Sequence, residues 1–179
     1  MVHRMRQRTG FTLVEALVVL VLMALLLTLA APSLKGLRQR QQLRGQAEAF
    51  WNSLTLARAE AMARQQRVTV CAQSVVGDCD ATGPWQRGWL VFVDTNRNGQ
   101  REAEELVLQR QGTLPDGMSL VGNTPVRRAL AYAEEGRSVS VSGGFLAGTL
   151  TFCQDGQGQG WNVVINAVGW PRLEAADCP

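Results

Sequence analysis

Residues 10–32 read GFTLVEALVVLVLMALLLTLAAP, and this stretch decides how the rest of the chain is organised. The 21 residues from Phe11 to Ala31 are almost entirely apolar and contain a single acid, Glu15. A helix needs about 20 apolar residues to cross the hydrocarbon core of a bilayer. The stretch therefore predicts a membrane-spanning helix over residues 11–31 that carries one carboxylate near its start.

The ten residues before this stretch, MVHRMRQRTG, form a basic leader with three arginines and no acid. Such charge keeps a flanking segment on the cytoplasmic side of a membrane. A secretory signal has its small-residue cleavage site after the apolar run, but here the small residue, Gly10, precedes the run. A cut after Gly10 removes the charges, keeps the helix and gives Phe11 a new α-amino group. In a neighbouring subunit that amine is a partner for Glu15, whose carboxylate is costly in lipid.

The hexapeptide GFTLVE at residues 10–15 resembles the prepilin cleavage motif of type IV pilins and type II secretion pseudopilins. The resemblance implies that a membrane aspartyl protease, the prepilin peptidase, cuts between Gly10 and Phe11. It also implies that the amino terminus of Phe11 is methylated and that Glu15 docks the subunit into a helical filament. Pro32 lies where these proteins tend to kink the helix. The alternative is a plain signal anchor in which the glutamate has no role.

The net charge and the histidine content argue against general nucleic-acid binding and against histidine-based catalysis or metal binding. The formal net charge is +3, and the three leader arginines account for all of it, so the remaining chain is neutral. A neutral chain gives no general attraction to nucleic acid. The single histidine, His3, lies in the leader, so the cleaved chain has none for a catalytic triad, a proton shuttle or a metal site. We therefore expect a protein that is not an enzyme and requires no cofactor.

Four cysteines follow the predicted membrane helix: Cys71, Cys79, Cys153 and Cys178. The topology places them outside the cytoplasm, where disulfides persist. Four cysteines allow three pairings. We favour Cys71–Cys79 with Cys153–Cys178 because each pair closes a local loop, and free buried thiols are the alternative.

After Pro32 the pattern predicts an amphipathic continuation of the helix over residues 32–64. Apolar residues recur every three or four positions and form one stripe, namely Leu43, Ala47, Phe50, Leu54, Ala57 and Ala61. From residue 65 the period changes to two, which predicts strands at Val68–Gln73, Trp89–Asp94, Leu106–Gln109, Met118–Val121, Ala129–Ala133, Thr149–Cys153 and Asn162–Val168. A long helix followed only by strands predicts an α+β fold, with the helix packed on an antiparallel, β-rich head of residues 65–179.

The part of the chain after the predicted membrane helix resembles the GspH/FimT-type minor pilins and pseudopilins. The resemblance rests on ARAEA at residues 57–61, VTVC at 68–71 and WQRGWLVFVD at 85–94. It implies a type IV pilin-like fold, a single-pass anchor in the bacterial inner membrane, a periplasmic head and a place at or near a filament tip. The implied partners are other minor and major pilins or pseudopilins, the prepilin peptidase and the inner-membrane assembly platform.

The resemblance leaves three functions open. We expect a minor pilin of a type IV pilus that supports pilus biogenesis and twitching motility, with DNA uptake as an open further role. The first alternative is the H-type minor pseudopilin of the type II secretion system. The second is a DNA-binding pilin receptor for natural transformation.

The segment DTNRNGQREAEE, residues 94–105, matches the calcium-loop pattern D-x-[DN]-x-[DN]-G-x5-E in full. Strands rather than helices are predicted on both sides of it, and Arg97 and Arg101 add opposing charge. The sequence favours a hairpin turn at Asn98–Gly99 with solvated charges, and a Ca2+ site is the alternative. For calcium, side-chain oxygens stand at the ligand positions Asp94, Asn96, Asn98, Glu102 and Glu105.

The C-terminal tail raises the question of DNA. Some FimT-like pilins of naturally competent bacteria bind DNA through a tail of G-R-x-R type, and the corresponding stretch here, residues 169–172, reads GWPR. Trp170 replaces the first arginine, so half of the motif's charge is missing. Arg172 is available for a phosphate and Trp170 for stacking on a base. The favoured interpretation is structural, with Trp170 capping a sheet edge, and weak DNA binding is the alternative.

We expect Gly10→Val to leave the precursor uncut and the subunit outside filaments, because a branched side chain at this position obstructs the peptidase. Intact-mass measurement of the protein purified from membranes checks this. The natural sequence should yield a chain that begins at methylated Phe11. A mature amino terminus at any other residue contradicts the prepilin resemblance.

Overall fold

The computed structural model describes residues 11–80 and 84–178, and for residues 27–35 it describes the backbone alone. The basic leader with Gly10 lies outside the described residues, as does the side chain of Pro32. The chain divides into two compact units, one that ends at Arg40 and one that begins at Gln41. This division falls within the predicted amphipathic segment rather than at its start.

One α-helix and nine strands are present in the described residues. Helix α1 spans Leu13–Arg64, and the strands are β1 (Val68–Ala72), β2 (Trp89–Val93), β3 (Val107–Gln111), β4 (Met118–Gly122), β5 (Ala129–Tyr132), β6 (Ser138–Val139), β7 (Gly148–Gln154), β8 (Gln159–Ile165) and β9 (Pro171–Asp177). Each of the seven predicted strands is present, with bounds within three residues of the expected ones.

Three differences from the predicted strands have physical causes. Strand β8 begins at Gln159 instead of Asn162 because Gly160, which in sequence indicates a break, lies inside the strand. The pattern does not predict β9, which begins with a proline and carries acids, yet a proline is tolerated as the first residue of an edge strand. Strand β6 has only two residues, too few for alternation to be detected.

The strands form two sheets. The first has five strands in the order β3-β2-β1-β5-β6, and the second has four in the order β4-β7-β8-β9. In the first sheet, Val68 of β1 lies between Val93 of β2 and Tyr132 of β5. Every pair of named strands in the described residues is antiparallel. The predicted α+β fold with an antiparallel head is therefore confirmed.

Helix α1 begins with a cap that its sequence encodes. Thr12 Oγ1 accepts the backbone N–H of Glu15 at 3.2 Å, at the Thr-x-x-Glu spacing of a capping box. The helix continues through position 32 to Arg64, so Pro32 does not end it. Among the described residues, no helix is long and apolar enough to cross a membrane. The predicted span 11–31 includes residues 27–31, whose side chains lie outside the description.

The later part of α1 supplies the predicted apolar stripe to the core of the head. All six stripe residues are buried, and they share one cluster with residues of both sheets. The ring of Phe50 lies at its centre, edge-on to Trp89 of the first sheet and Phe152 of the second, at centroid distances of 4.9 and 5.9 Å. The ring of Trp85, in a short 3-10 turn, lies 5.5 Å from it. One aromatic side chain thus joins the helix to both sheets.

Hydrogen bonds fix the two buried tryptophans in this cluster. The indole N–H of Trp89 donates to Ser53 Oγ at 2.8 Å, and the Ser53 hydroxyl donates to the carbonyl of Ala49 at 2.8 Å. The indole N–H of Trp85 donates to the carbonyl of Val126 at 3.1 Å. Because a buried donor without a partner is costly, the Trp89–Ser53 bond restricts how α1 can rotate on the first sheet.

Two disulfides brace the head, and they are the pairs favoured from the sequence. One joins Cys71 to Cys79, and the other joins Cys153 to Cys178. The second links β7 to the residue after β9, so it passes over β8, which lies between them. Gly160 of β8 lies beneath it. A Cβ atom at this position would be 2.5 Å from Cys178 Sγ and would also collide with the carbonyl oxygen of Phe152.

We expect Gly160→Ala to destabilise the head, because the added methyl group forces the disulfide or the β7 backbone to shift. Overpacking of this kind typically costs about 1–3 kcal/mol. For a domain of this size, that corresponds to a fall in Tm of several degrees. Gly158→Ala is the matched control, since no atom lies within 4 Å of a Cβ built there. Thermal unfolding monitored by circular dichroism should separate the two variants, and equal melting temperatures would contradict the proposed crowding.

Candidate functional sites: the exposed helix start, the Asp94 loop and the C-terminal strand

Residues 11–26, which include the first part of α1, present an exposed apolar surface. All residues from Phe11 to Leu26 are exposed, and apart from Thr12 and Glu15 they are apolar. The exposed fraction of the Phe11 side chain is 80% and that of Leu26 is 65%. Soluble monomers rarely expose contiguous apolar surface of this extent, which marks contact with a membrane or with another protein.

Glu15 lies in the first turn of this exposed segment. Its backbone N–H is the one that Thr12 caps, and its side chain is exposed. A carboxylate here complements the positive end of the helix dipole. Glu15 is the only ionisable residue between Phe11 and Leu26, so it is the one place in this apolar surface where charge can specify a partner.

The segment 94–105 forms a long loop between β2 and β3. Asp94 is fully buried at its start. Its Oδ2 atom accepts the backbone N–H of Gly99 at 3.0 Å and the hydroxyl of Thr69 at 2.7 Å. Its Oδ1 atom is buried and has no hydrogen-bond partner. The loop joins two antiparallel neighbours, as a hairpin does, but the solvated charge expected at Asp94 is wrong, because this acid is buried.

The other predicted ligand residues bond within the same loop. Asn96 Oδ1 accepts the N–H of Asn98, and Asn98 Nδ2 donates to Glu102 Oε1 at 2.6 Å. This bond lowers the pKa of the Glu102 carboxyl below its usual value. Glu102 Oε2 is enclosed and has no partner. Glu105, which is also buried, accepts the N–H of Thr95 with Oε1 at 2.8 Å and the N–H of Glu102 with Oε2 at 3.1 Å.

The two arginines of the loop pair with acids outside it. Arg97 contacts Glu134 at 2.6 Å, and Arg101 contacts Asp78 at 3.3 Å. Their charges are therefore balanced elsewhere on the head. Across the described part of the chain, no group of three His, Cys, Asp or Glu side chains is arranged to hold a metal ion.

A buried arginine that the sequence analysis missed lies beside Asp94. Arg67 Nε is 3.7 Å from Asp94 Oδ2, and Arg67 Nη2 donates to the carbonyls of Ser140 and Val141. Burial lowers the pKa of the Arg67 guanidinium, and the nearby Asp94 carboxylate opposes that effect. No local motif indicates this pair, because 27 positions separate the two residues in sequence.

Trp170 and Arg172 lie at the second sheet's edge strand, Trp170 just before β9 and Arg172 within it. The guanidinium of Arg58, from α1, stacks over the Trp170 ring at 3.9 Å and donates to the carbonyl of Gly136 at 2.9 Å. Arg172 contacts Glu174 at 3.5 Å. One face of the tryptophan is thus already covered, and the arginine has an acid beside it. These contacts leave the tail with less aromatic surface for stacking on a base and less positive charge for a phosphate.

Comparison with known proteins identifies the class to which this fold belongs. The family model for the type II transport protein GspH matches residues 46–169, and the model for the prokaryotic N-terminal methylation motif matches residues 5–31. The chain belongs to the GspH family, which is a family of structural pilins and pseudopilins rather than of enzymes. The resemblances described from the sequence are thereby confirmed. No match to a curated protein sequence reaches significance.

Two kinds of solved structure share the fold. The type IV minor pilin FimU of Pseudomonas aeruginosa strain PAO1 is 20% identical with a TM-score of 0.57, and the match covers 79% of this chain and 98% of FimU. The minor pseudopilin EpsH from the type II secretion system of Vibrio cholerae is 18% identical with a TM-score of 0.54, covering 78% of this chain and 97% of EpsH. At these identities, the likeness establishes the fold alone.

We expect the soluble part of the chain, from about Lys35 onward, to bind duplex DNA no better than ordinary non-specific binding at physiological salt, with a Kd of about 10⁻⁴–10⁻⁶ M. The reason is that Arg172 has an acid beside it and the first arginine of the tail motif is missing. Trp170→Arg should strengthen binding and steepen its salt dependence, because it adds one phosphate contact. Fluorescence anisotropy with both forms measures this. Submicromolar binding by the natural sequence that Arg172→Ala abolishes would contradict the expectation.

Proposed function

We propose that this chain is a minor subunit of a type IV pilus, anchored by one span in the inner membrane with its head in the periplasm. The observation that carries the proposal is the exposed apolar start of α1, with Glu15 as its only charge, joined to a disulfide-braced head. A surface of that kind is suited first to lipid and then to the helices of neighbouring subunits. The methylation motif and the GspH family membership support the same role.

The proposed mechanism has three steps. The prepilin peptidase removes the leader after Gly10, and the apolar helix remains inserted in the bilayer. The inner-membrane assembly platform then extracts the subunit, and its helix packs against those of other pilins. In that packing, burial of apolar surface supplies the driving force. The pairing of Glu15 with the Phe11 amine of a neighbouring subunit sets the axial register, because an unpaired carboxylate in lipid costs about 3 kcal/mol.

The type IV minor pilin FimU shares this fold, so the fold is compatible with a pilus. A place at or near the filament tip is part of the proposal. The likeness to EpsH supports the alternative, an H-type pseudopilin of type II secretion. A DNA receptor is the second alternative, and the cation–π stacking of Arg58 on Trp170 counts against it. Deletion of the gene separates these roles. A pilus subunit predicts loss of twitching motility with normal exoprotein secretion, whereas lost secretion with normal twitching assigns the chain to the secretion system.

We expect the deletion strain complemented with Glu15→Val to process and insert the subunit normally but to recover little pilus function. Glu15→Gln should behave in the same way, because it keeps the size of the side chain and removes only its charge. Glu48→Gln is the matched control, since it removes a carboxylate of α1 that pairs with Arg44 at the helix surface. Immunoblots of sheared filaments measure incorporation. Normal incorporation of both Glu15 variants would exclude the docking role.

A further inference from the structure

We propose that the free edge of β9 is a docking site for an extended strand of another pilin or pseudopilin. The added strand pairs with the backbone of Leu173–Asp177 and continues the second sheet. The inference rests on the proposed role as a filament subunit, and it names a surface through which the head meets a neighbour. It is the same whether the filament belongs to a pilus or to the secretion system.

Strand β9 is the longest edge strand in the described residues. It has seven residues, whereas β3 and β4 have five each and β6 has two. Within the described part of the chain, only β8 pairs with it. The free side of an edge strand presents unpaired backbone N–H and C=O groups, with which another extended chain can form a ladder.

Hydrogen bonds at the two ends of β9 show which of its residues point their backbone groups toward β8. The N–H of Cys178 donates to the carbonyl of Gly158 at 3.1 Å, and the N–H of Asn166 donates to the carbonyl of Trp170 at 3.5 Å. Residues bonded to a given neighbour alternate along an antiparallel strand. The even-numbered residues from 170 to 178 therefore bond to β8.

The odd-numbered residues turn their backbone groups away from β8. The indole N–H of Trp51 agrees with this direction, because it donates to the outward carbonyl of Pro171 at 3.0 Å. The N–H and C=O groups of Leu173, Ala175 and Asp177 face the same way, and no hydrogen bond within the described residues involves them. Three donors and three acceptors thus lie in the alternating order that a strand pairs with.

The features that usually protect a free edge are confined to the start of β9. Pro171 has no N–H and its carbonyl is already bonded, so the ladder of an added strand stops beside this residue. Beyond it, Leu173 is half-buried, whereas Ala175 and Asp177 are exposed. The small side chains of Ala175 and Ala176 leave room for a neighbouring backbone, so the accessible part of the edge is residues 173–177.

The charges on β9 indicate what kind of strand fits. Leu173 packs against the core, so its neighbours Arg172 and Glu174 lie together on the outer face of the sheet, and both are exposed. Oppositely charged cross-strand pairs are favourable, and like charges directly opposite are not. A complementary strand therefore carries an acid opposite Arg172 and a base opposite Glu174.

A second copy of β9 does not satisfy these requirements together. With Ala175 opposite its counterpart, all the outward backbone groups pair, but neither Arg172 nor Glu174 faces an opposite charge. With Glu174 opposite its counterpart, two like charges meet. With Leu173 opposite its counterpart, the charges match, but Pro171 then faces a residue whose carbonyl needs the N–H that proline lacks. A strand of different sequence can satisfy both the backbone and the charges.

Ala175→Pro in the full chain tests the edge, because it removes one outward N–H and leaves the bonds to β8 in place. Proline is tolerated on an edge strand where the N–H faces solvent. In the deletion strain, the variant should be processed and inserted normally. It should enter sheared filaments about tenfold less than the natural chain, because the partner loses one backbone hydrogen bond and keeps an unpaired carbonyl.

Ala175→Val is the matched control, since its side chain is close in size to proline and it keeps the N–H. It should enter filaments like the natural chain, and circular dichroism of both purified variants establishes that they are folded. If Ala175→Pro restores the function lost on deletion as well as Ala175→Val does, the docking edge is excluded. The proposed function fails by a different result, namely a deletion that leaves both twitching and secretion unchanged.

Photo-cross-linking in living cells identifies the occupant independently of these variants. With p-benzoylphenylalanine in place of Ala175, we expect a product with another pilin or pseudopilin, in which mass spectrometry locates the cross-link in an extended segment. The same group in place of Val75, an exposed residue of the loop after β1, should not give that product. The proposal is overturned by the lack of a product at position 175, by the same product from both positions, or by a product with a second copy of this chain or with any other protein.

Discussion

The packing of Phe50 against three aromatic rings holds the head of this protein together. Its ring contacts Trp89 in one sheet, Phe152 in the other and Trp85 between them, all edge-on. Such pairs contribute about 0.5–1.5 kcal/mol each beyond the burial of apolar area, and truncation of a buried phenylalanine costs about 3–5 kcal/mol. Alanines on the same stripe, such as Ala57, let the sheets approach the helix closely. Phe50 therefore lies where the helix and both sheets meet, within the larger core cluster that joins them.

The same helix serves two environments because its two parts bury their apolar residues differently. From Leu43 onward, one apolar stripe is buried in the core, and the other positions carry polar residues together with half-buried or exposed apolar ones. From Phe11 to Leu26, the apolar residues surround the helix and are exposed in the described structure. An all-apolar helix surface needs lipid or other helices, whereas a striped one needs a single sheet face. The head therefore covers its own apolar stripe, whereas the apolar residues 11–26 are exposed.

The Cys153–Cys178 disulfide and the Arg67–Asp94 ion pair both depend on how the sheets are arranged. The bridge from Cys153 to Cys178 closes over β8 only because Gly160 leaves room beneath it. The loop that follows β2 places Asp94 in the interior, where Arg67 from the start of the first sheet meets it. Both arrangements put groups from distant parts of the sequence within a few ångströms. They account for Gly160 inside strand β8 and for the buried carboxylate of Asp94.

The sequence by itself determined the helix, the core stripe, seven of the nine strands and the preference for Cys71–Cys79 and Cys153–Cys178. These features follow from local spacing, which fixes the face on which each side chain lies. Only the tertiary structure decided the pairing of Arg67 with Asp94, the stacking of Arg58 on Trp170 and the outward pairing of Arg97 in the predicted calcium loop. Each of these joins elements that are distant along the chain, and the order of strands in a sheet, which local periodicity does not encode, brings them together.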